Sequence, residues 1–195
     1  MPRLWPGETV VCIASGPSLT QDDVDYVRGK ARVIVINTTY KMALWADALY
    51  ASDTIWWQWH QGAPDFPGLK FALQTAAKWP GVQFLENTGH NGLELSPSGV
   101  RHGHNSGHQA INLAVHLGVR RVVLLGYDMQ PGPRGEQHWH ADHPKRSQSV
   151  SNYAKFRENF RTLVEPLREL GVDAINCTRR TALDCFPCQP LETVL

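Results

Sequence analysis

The sequence carries almost no net charge. Its 19 lysines and arginines stand against 18 aspartates and glutamates, a formal charge of +1 with histidine neutral. That balance excludes the electrostatic footprint of a long-nucleic-acid or anionic-membrane binder. No window approaches the ~20 consecutive apolar residues of a membrane span, and Met1 to Gly7 lacks the apolar run of a signal peptide. Cysteine is scarce: Cys12, Cys177, Cys185 and Cys188 are spaced unlike a disulfide scaffold, which reads as a cytoplasmic chain. Low-complexity tracts and internal repeats are missing as well. The partner left by these absences is a small molecule in a local site, with homo-oligomerisation left open.

What is present is ordinary for one globular domain spanning residues 1–195, with 42% hydrophobic and 19% charged residues. Short β-branched runs end in polar or glycine-bearing turns: Thr9 to Ala14, Arg32 to Asn37, Ala48 to Ala51, Val82 to Leu85, Arg121 to Gly126 and Val172 to Asn176. Helical patterns lie between them, at Leu19 to Val27, at Ser106 to Leu117 and over Asn152 to Leu170, where Pro166 predicts a kink or break. Ser106 and Gln109 fit an S-x-x-Q capping box, and Gly118 fits a helix stop. Strands alternating with helices, without hairpin turns, predict an α/β fold: a single Rossmann-like domain with a mostly parallel sheet and helices on both faces.

Ligands of such sheets bind outside the carboxyl ends of the strands. That rule selects Ser15, Gly16, Pro17 and Ser18 after the first strand, Asn37 after the second and Asp53 after the third. Asp128 follows the strand ending at Gly126, and Asn105, Ser106 and Gly107 open the helix before it. Gly16 removes a Cβ that would block a phosphate or ribose, Ser18 can cap the following helix, and two helix entrances offer amides to an anion. A tight turn and ordinary caps would look the same. Neither a Walker loop nor G-x-G-x-x-G is present.

Nine histidines and seven tryptophans are unusual. His138-Trp139-His140-Ala141-Asp142-His143 matches the H-x-H-x-D-H string of metallo-β-lactamases, so His138, His140, Asp142 and His143 form an alternative metal site. That fold needs further histidines downstream, and none follows His143. Imidazole also titrates near neutrality, so one of the three is a candidate general acid or base. Trp56, Trp57 and Trp59 could stack on a base but fit a small core under a loop better. Cys185-Phe186-Pro187-Cys188 lacks a thioredoxin context and reads as two ordinary thiols.

Three stretches, Val11 to Leu19, Val35 to Tyr40 and Asn105 to Asp128, together resemble bacterial sialyltransferases of the lipooligosaccharide type and their relatives of unassigned activity, phage-encoded ones included. The resemblance covers roughly the first two-thirds of the chain. It implies a CMP-sugar as donor, held at Gly16, Pro17, Ser18, Asn37, Ser106 and Gly107, and a histidine base downstream of the Gly126-Tyr127-Asp128 turn, taken from His143, His140 and His138. Ser15 departs from the asparagine usual before Gly-Pro-Ser, and the tyrosine pair near the leaving phosphate has only Tyr127 and Tyr153 to match it. No Asp-x-Asp pair stands at a strand end, so no metal is obligatory on this route, though a divalent ion remains an option. Two readings stand beside it: a metal-dependent phosphoryl or pyrophosphoryl transferase or hydrolase built on residues 138–143, and a non-catalytic phage binding or assembly protein.

Overall fold

The computed structural model describes residues 1–74, 79–141 and 151–195. Eight strands form one sheet: β1 (Thr9–Ile13), β2 (Arg32–Ile36), β3 (Ala48–Ala51), β4 (Leu69–Leu73), β5 (Val82–Asn87), β6 (Gly99–Val100), β7 (Arg121–Leu125) and β8 (Asp173–Asn176). The helices are α1 (Gln21–Tyr26), α2 (Thr54–Trp59), α3 (Ser106–Leu117), α4 (Tyr153–Glu169) and α5 (Leu191–Val194), with a 3-10 turn over Asn37–Met42. The strand order is β6-β5-β4-β3-β2-β1-β7-β8, and every pairing is parallel. The expected α/β fold, Rossmann-like with a parallel sheet, is what the chain adopts.

The order explains where a crevice can form. From β1 the chain steps outward strand by strand to β6, then α3 carries it back to β7 on the other side of β1. The direction of winding reverses between β1 and β7, so the connections leave in opposite senses and open a notch at the carboxyl ends of those two strands. Cys12 pairs with Ile34 of β2 and Leu124 of β7, which places β1 at the centre.

Alternation along the buried strands builds two cores. Val10 and Cys12 face Ala110, Ile111 and Ala114 of α3 and Phe160 and Leu163 of α4. Val11 and Ile13 face the opposite layer, with Val24 of α1 and Trp56 and Trp57 of α2. A strand buried on both faces reads as a continuous apolar run, which is why β1, β2 and β7 stood out in the sequence.

Several local expectations are corrected. Ser18 does not cap α1: Thr20 does, accepting from the Asp23 amide while Asp23 reaches back to the Thr20 amide. Ser18 instead sits in a turn closed by Leu19 N–H on Gly16 O, and its hydroxyl accepts from the Arg180 amide. Nor do Ser106 and Gln109 form a capping box. Asn105 is the cap of α3, accepting from Gly107 and His108, and Gln109 bridges Tyr50 Oη and the His102 carbonyl. Gly118 does end α3, with φ +94°. α4 runs through Pro166 to Glu169 without a break, with the one ladder bond of the missing Pro166 N–H given up.

Trp56 and Trp57 are core residues. Their indole N–H groups donate to Thr38 Oγ1 and the Ala51 carbonyl, and Trp56 stacks on His60 at 4.2 Å. All four cysteines are free. Burial pushes the Cys12 thiol up to about 12 and those of Cys177 and Cys185 up to about 11, so these three stay protonated and unreactive near neutrality. Among the described residues no helix is long and apolar enough to cross a membrane.

Candidate functional site

The notch at the winding reversal is a cleft of about 550 Å³, counted with its open mouth. Ser15, Gly16 and Pro17 form its first wall, Asn37 its second, Asn105, Ser106 and Gly107 its third, and Asp128 its fourth. Eight of the ten residues read from the sequence as ligand contacts are thus brought together. Ser18 and Asp53 are not. Ser18 lies behind the first loop, its amide held by Asp128 Oδ2 at 3.0 Å. Asp53 is an exposed residue preceding α2, outside the cleft lining, and its charge is felt at His102 and Tyr50.

The first loop is locked to the end of β7. Gly16 N–H donates to the Gly126 carbonyl at 2.8 Å. A Cβ on Gly16 would lie 2.0 Å from Asp128 Oδ1 and 2.5 Å from Gly126 O. The glycine is therefore required by the Asp128 carboxylate and the neighbouring strand end, not by space left for a phosphate. Gly107 likewise is filled from behind, since a Cβ there would meet Tyr127 Cε1 at 2.7 Å. Tyr127 is wholly buried, and its hydroxyl donates to the Gly107 carbonyl. It is a strut for the α3 entrance and not a residue that meets a ligand; Tyr153, the other tyrosine considered, does line the cleft.

These contacts change what the two helix entrances can do. At α1 the Ser18 amide is satisfied by a carboxylate of the protein itself. At α3 the amides of Gly107 and His108 are satisfied by Asn105. Among the described lining residues there is no lysine or arginine. The described part of the cleft is therefore a neutral polar surface with one embedded acid. Burial pushes the Asp128 carboxyl above the usual carboxylate range, against the hydrogen bonds from Ser18 and the pull of Arg180. Asp128 Oδ1 and Asn37 Oδ1 are both buried acceptors without a hydrogen-bond partner among the described residues. Asn37 holds φ +52° at the end of β2, a left-handed conformation that asparagine tolerates. Two orphaned acceptors on residues that line the cleft favour a ligand that brings hydrogen-bond donors.

His138 is the candidate base that the structure brings to the cleft. Its Nδ1 lies 3.0 Å from Ser15 Oγ. The Trp139 amide donates to the Ser15 carbonyl and the Trp139 indole to Thr39 Oγ1, which fold residues 137–139 back over the first loop. In the tautomer in which Nδ1–H donates to Ser15, Nε2 is the ring nitrogen able to accept a proton. His140 stacks on His138 at 5.0 Å but does not line the cleft. Asp142 and His143 lie outside the described residues, and with them the full 138–143 metal motif. Among the described residues the one group spaced for a metal is a different one: His90, His102 and His104.

Gln130, Gln137 and Ser151 complete the wall and were not singled out in the sequence. They stand in a polar loop where nothing distinguishes a lining glutamine from a solvated one.

No family model matches this chain, nor does any curated protein or solved structure match it significantly. The site must be read from its own chemistry.

Proposed function

We propose that the protein is a glycosyltransferase-like enzyme that binds a nucleotide-activated sugar, a CMP-sugar first among them, in the β1/β7 cleft, with His138 as general base. The observation that carries this reading is the convergence of three strand-end loops and the α3 entrance on one cleft whose wall holds a Ser15–His138 pair. The described lining, neutral and polar with orphaned acceptors, suits ribose hydroxyls, a base amino group and a single phosphodiester. In the transfer, the acceptor oxygen bonds to the anomeric carbon as the bond from that carbon to the phosphate oxygen breaks. The electron pair leaves on CMP, and His138 Nε2 takes the acceptor's proton. Ser15 orients the imidazole, and Asn37 and Ser106 position the nucleotide.

A thermal-shift panel with CMP, CDP, UDP, GDP and ADP tests the reading. A ligand that binds only the folded chain, at a hundred times its Kd, adds ~2.7 kcal/mol of stability. CMP is expected to raise the melting temperature most. Silence across the panel would overturn the reading. CMP binding to a wild-type chain that never releases CMP from a CMP-sugar would instead make it a binding protein built on the same cleft.

A further inference from the structure

We infer that His90, His102 and His104 form a binding site for one divalent transition-metal ion of the zinc class, separate from the β1/β7 cleft and independent of the proposed transfer. One ligand atom from each imidazole lies within 4.8 Å of the others. His90 is exposed, and His102 and His104 are half-buried at the rim of the sheet.

The backbone is built to bring them together. His90 sits in the loop after β5, and His102 and His104 sit between β6 and α3. The His102 amide donates to the Gly89 carbonyl at 2.6 Å and the Gly103 amide to the His90 carbonyl at 2.9 Å. Arg101 Nη1 donates to the Thr88 carbonyl, and Asn159 of α4 donates to the Gly103 carbonyl. Gly103 and His104 are successive left-handed residues, φ +53° and +52°, which turn the His104 ring back beside the other two. His90 and His104 then lie parallel at 4.8 Å, with His102 edge-on to His104 at 5.0 Å.

Imidazole nitrogen is a ligand suited to borderline ions such as Zn²⁺, at ~2.0–2.1 Å, which requires the three nitrogens to close to about 3.3 Å of one another. Closing them from 4.8 Å takes side-chain rotation at the rim, including unstacking of His90 from His104. At His102, Nδ1 accepts the His104 amide hydrogen at 3.1 Å, so His90 and His104 seat the ion and His102 completes the set by giving up that bond. Asp53 favours a cation there and Lys155 opposes it. Three protein nitrogens leave a coordination position open to water or an oxygen ligand, beside the α3 entrance whose Asn105 and Ser106 line the cleft.

The test is direct titration of the EDTA-stripped full chain with Zn²⁺ alone, and with Co²⁺ as an absorbing probe. The wild type is expected to take up one ion per chain, with Co²⁺ giving d–d bands of nitrogen ligation. His90→Gln and His104→Ala are expected to weaken uptake by roughly tenfold or more, while His138→Ala/His140→Ala leaves it unchanged. His90 is exposed, so His90→Gln keeps the fold even where His104→Ala does not, which circular dichroism checks. No uptake by the wild type, wild-type uptake by His90→Gln, or loss confined to the 138/140 variant would each overturn the inference.

Discussion

Two stretches of the same sheet edge end in histidines, and they are built differently. At β1/β7 the winding reverses, the loops leave in opposite directions, and the edge is concave. One imidazole, His138, is held there with its Nδ1 against Ser15 Oγ and its ring stacked on His140. At β5/β6 successive strands wind the same way, the loops lie side by side, and the edge closes into a rim on which three imidazoles meet one another. The difference teaches that topology, more than residue type, decides whether histidines face a ligand cavity or a point-like ligand. α3 joins the two regions: His104 precedes its cap and Ser106 follows it.

Removing His138 should separate the regions most sharply. His138→Ala is expected to lower CMP-sugar turnover by about 10²–10⁴-fold while leaving CMP-induced stabilisation in place. His90→Gln is expected to leave that stabilisation in place as well. Release of CMP from the sugar donor, followed by chromatography, reads the first, and a shared loss of ligand binding would erase the contrast.

The next effect is structural. Gly16→Ala places a methyl group against Asp128 Oδ1 and Gly126 O, and overpacking of this kind costs about 1–3 kcal/mol or more. Asp128→Ala in the same chain should return only part of it, because the Gly126 carbonyl at 2.5 Å remains. Urea unfolding of the single and double variants measures both.

Acid should loosen the helix between the regions. His108, in the first turn of α3, is buried against Phe160, and burial pushes its imidazole down to about 4, against a smaller opposing pull from the Arg101 backbone. The folded chain then binds fewer protons than the unfolded one between that value and the free-histidine value of ~6.5. Stability from this group is complete above that range and falls as pH drops through it, by roughly 3 kcal/mol in all. His108→Leu should flatten this part of the melting-temperature profile between pH 6.5 and 4, as differential scanning calorimetry would show. Smallest is Asn105→Ala, which removes the α3 cap and is expected to cost about 1 kcal/mol, with both regions weakened together.

The strands that make the cleft were legible because they are buried on both faces and read as apolar runs. β4 and β6 were not: Leu69–Leu73 follows a proline- and glycine-rich stretch, and Gly99–Val100 is two residues held by its neighbours. α2 was hidden because Thr54–Trp59 is aromatic and short, with no helical stripe. The cleft residues could be picked out by the strand-end rule alone, but their roles could not. A glycine at position 16 reads as room for a ligand, but Asp128 occupies that space. The metal-like spacing drew attention to 138–143, whereas the rim site joins His90 to residues twelve positions and more away, a proximity only the sheet creates.

Amide chemical-shift mapping of the ¹⁵N-labelled chain on addition of CMP tests the central claim most directly. Ser15, Gly16, Asn37, Ser106, Gly107 and Asp128 are expected to shift together, with Gly89 to Gly92 unmoved. Shifts confined to other surfaces, or none at saturating CMP, would contradict it.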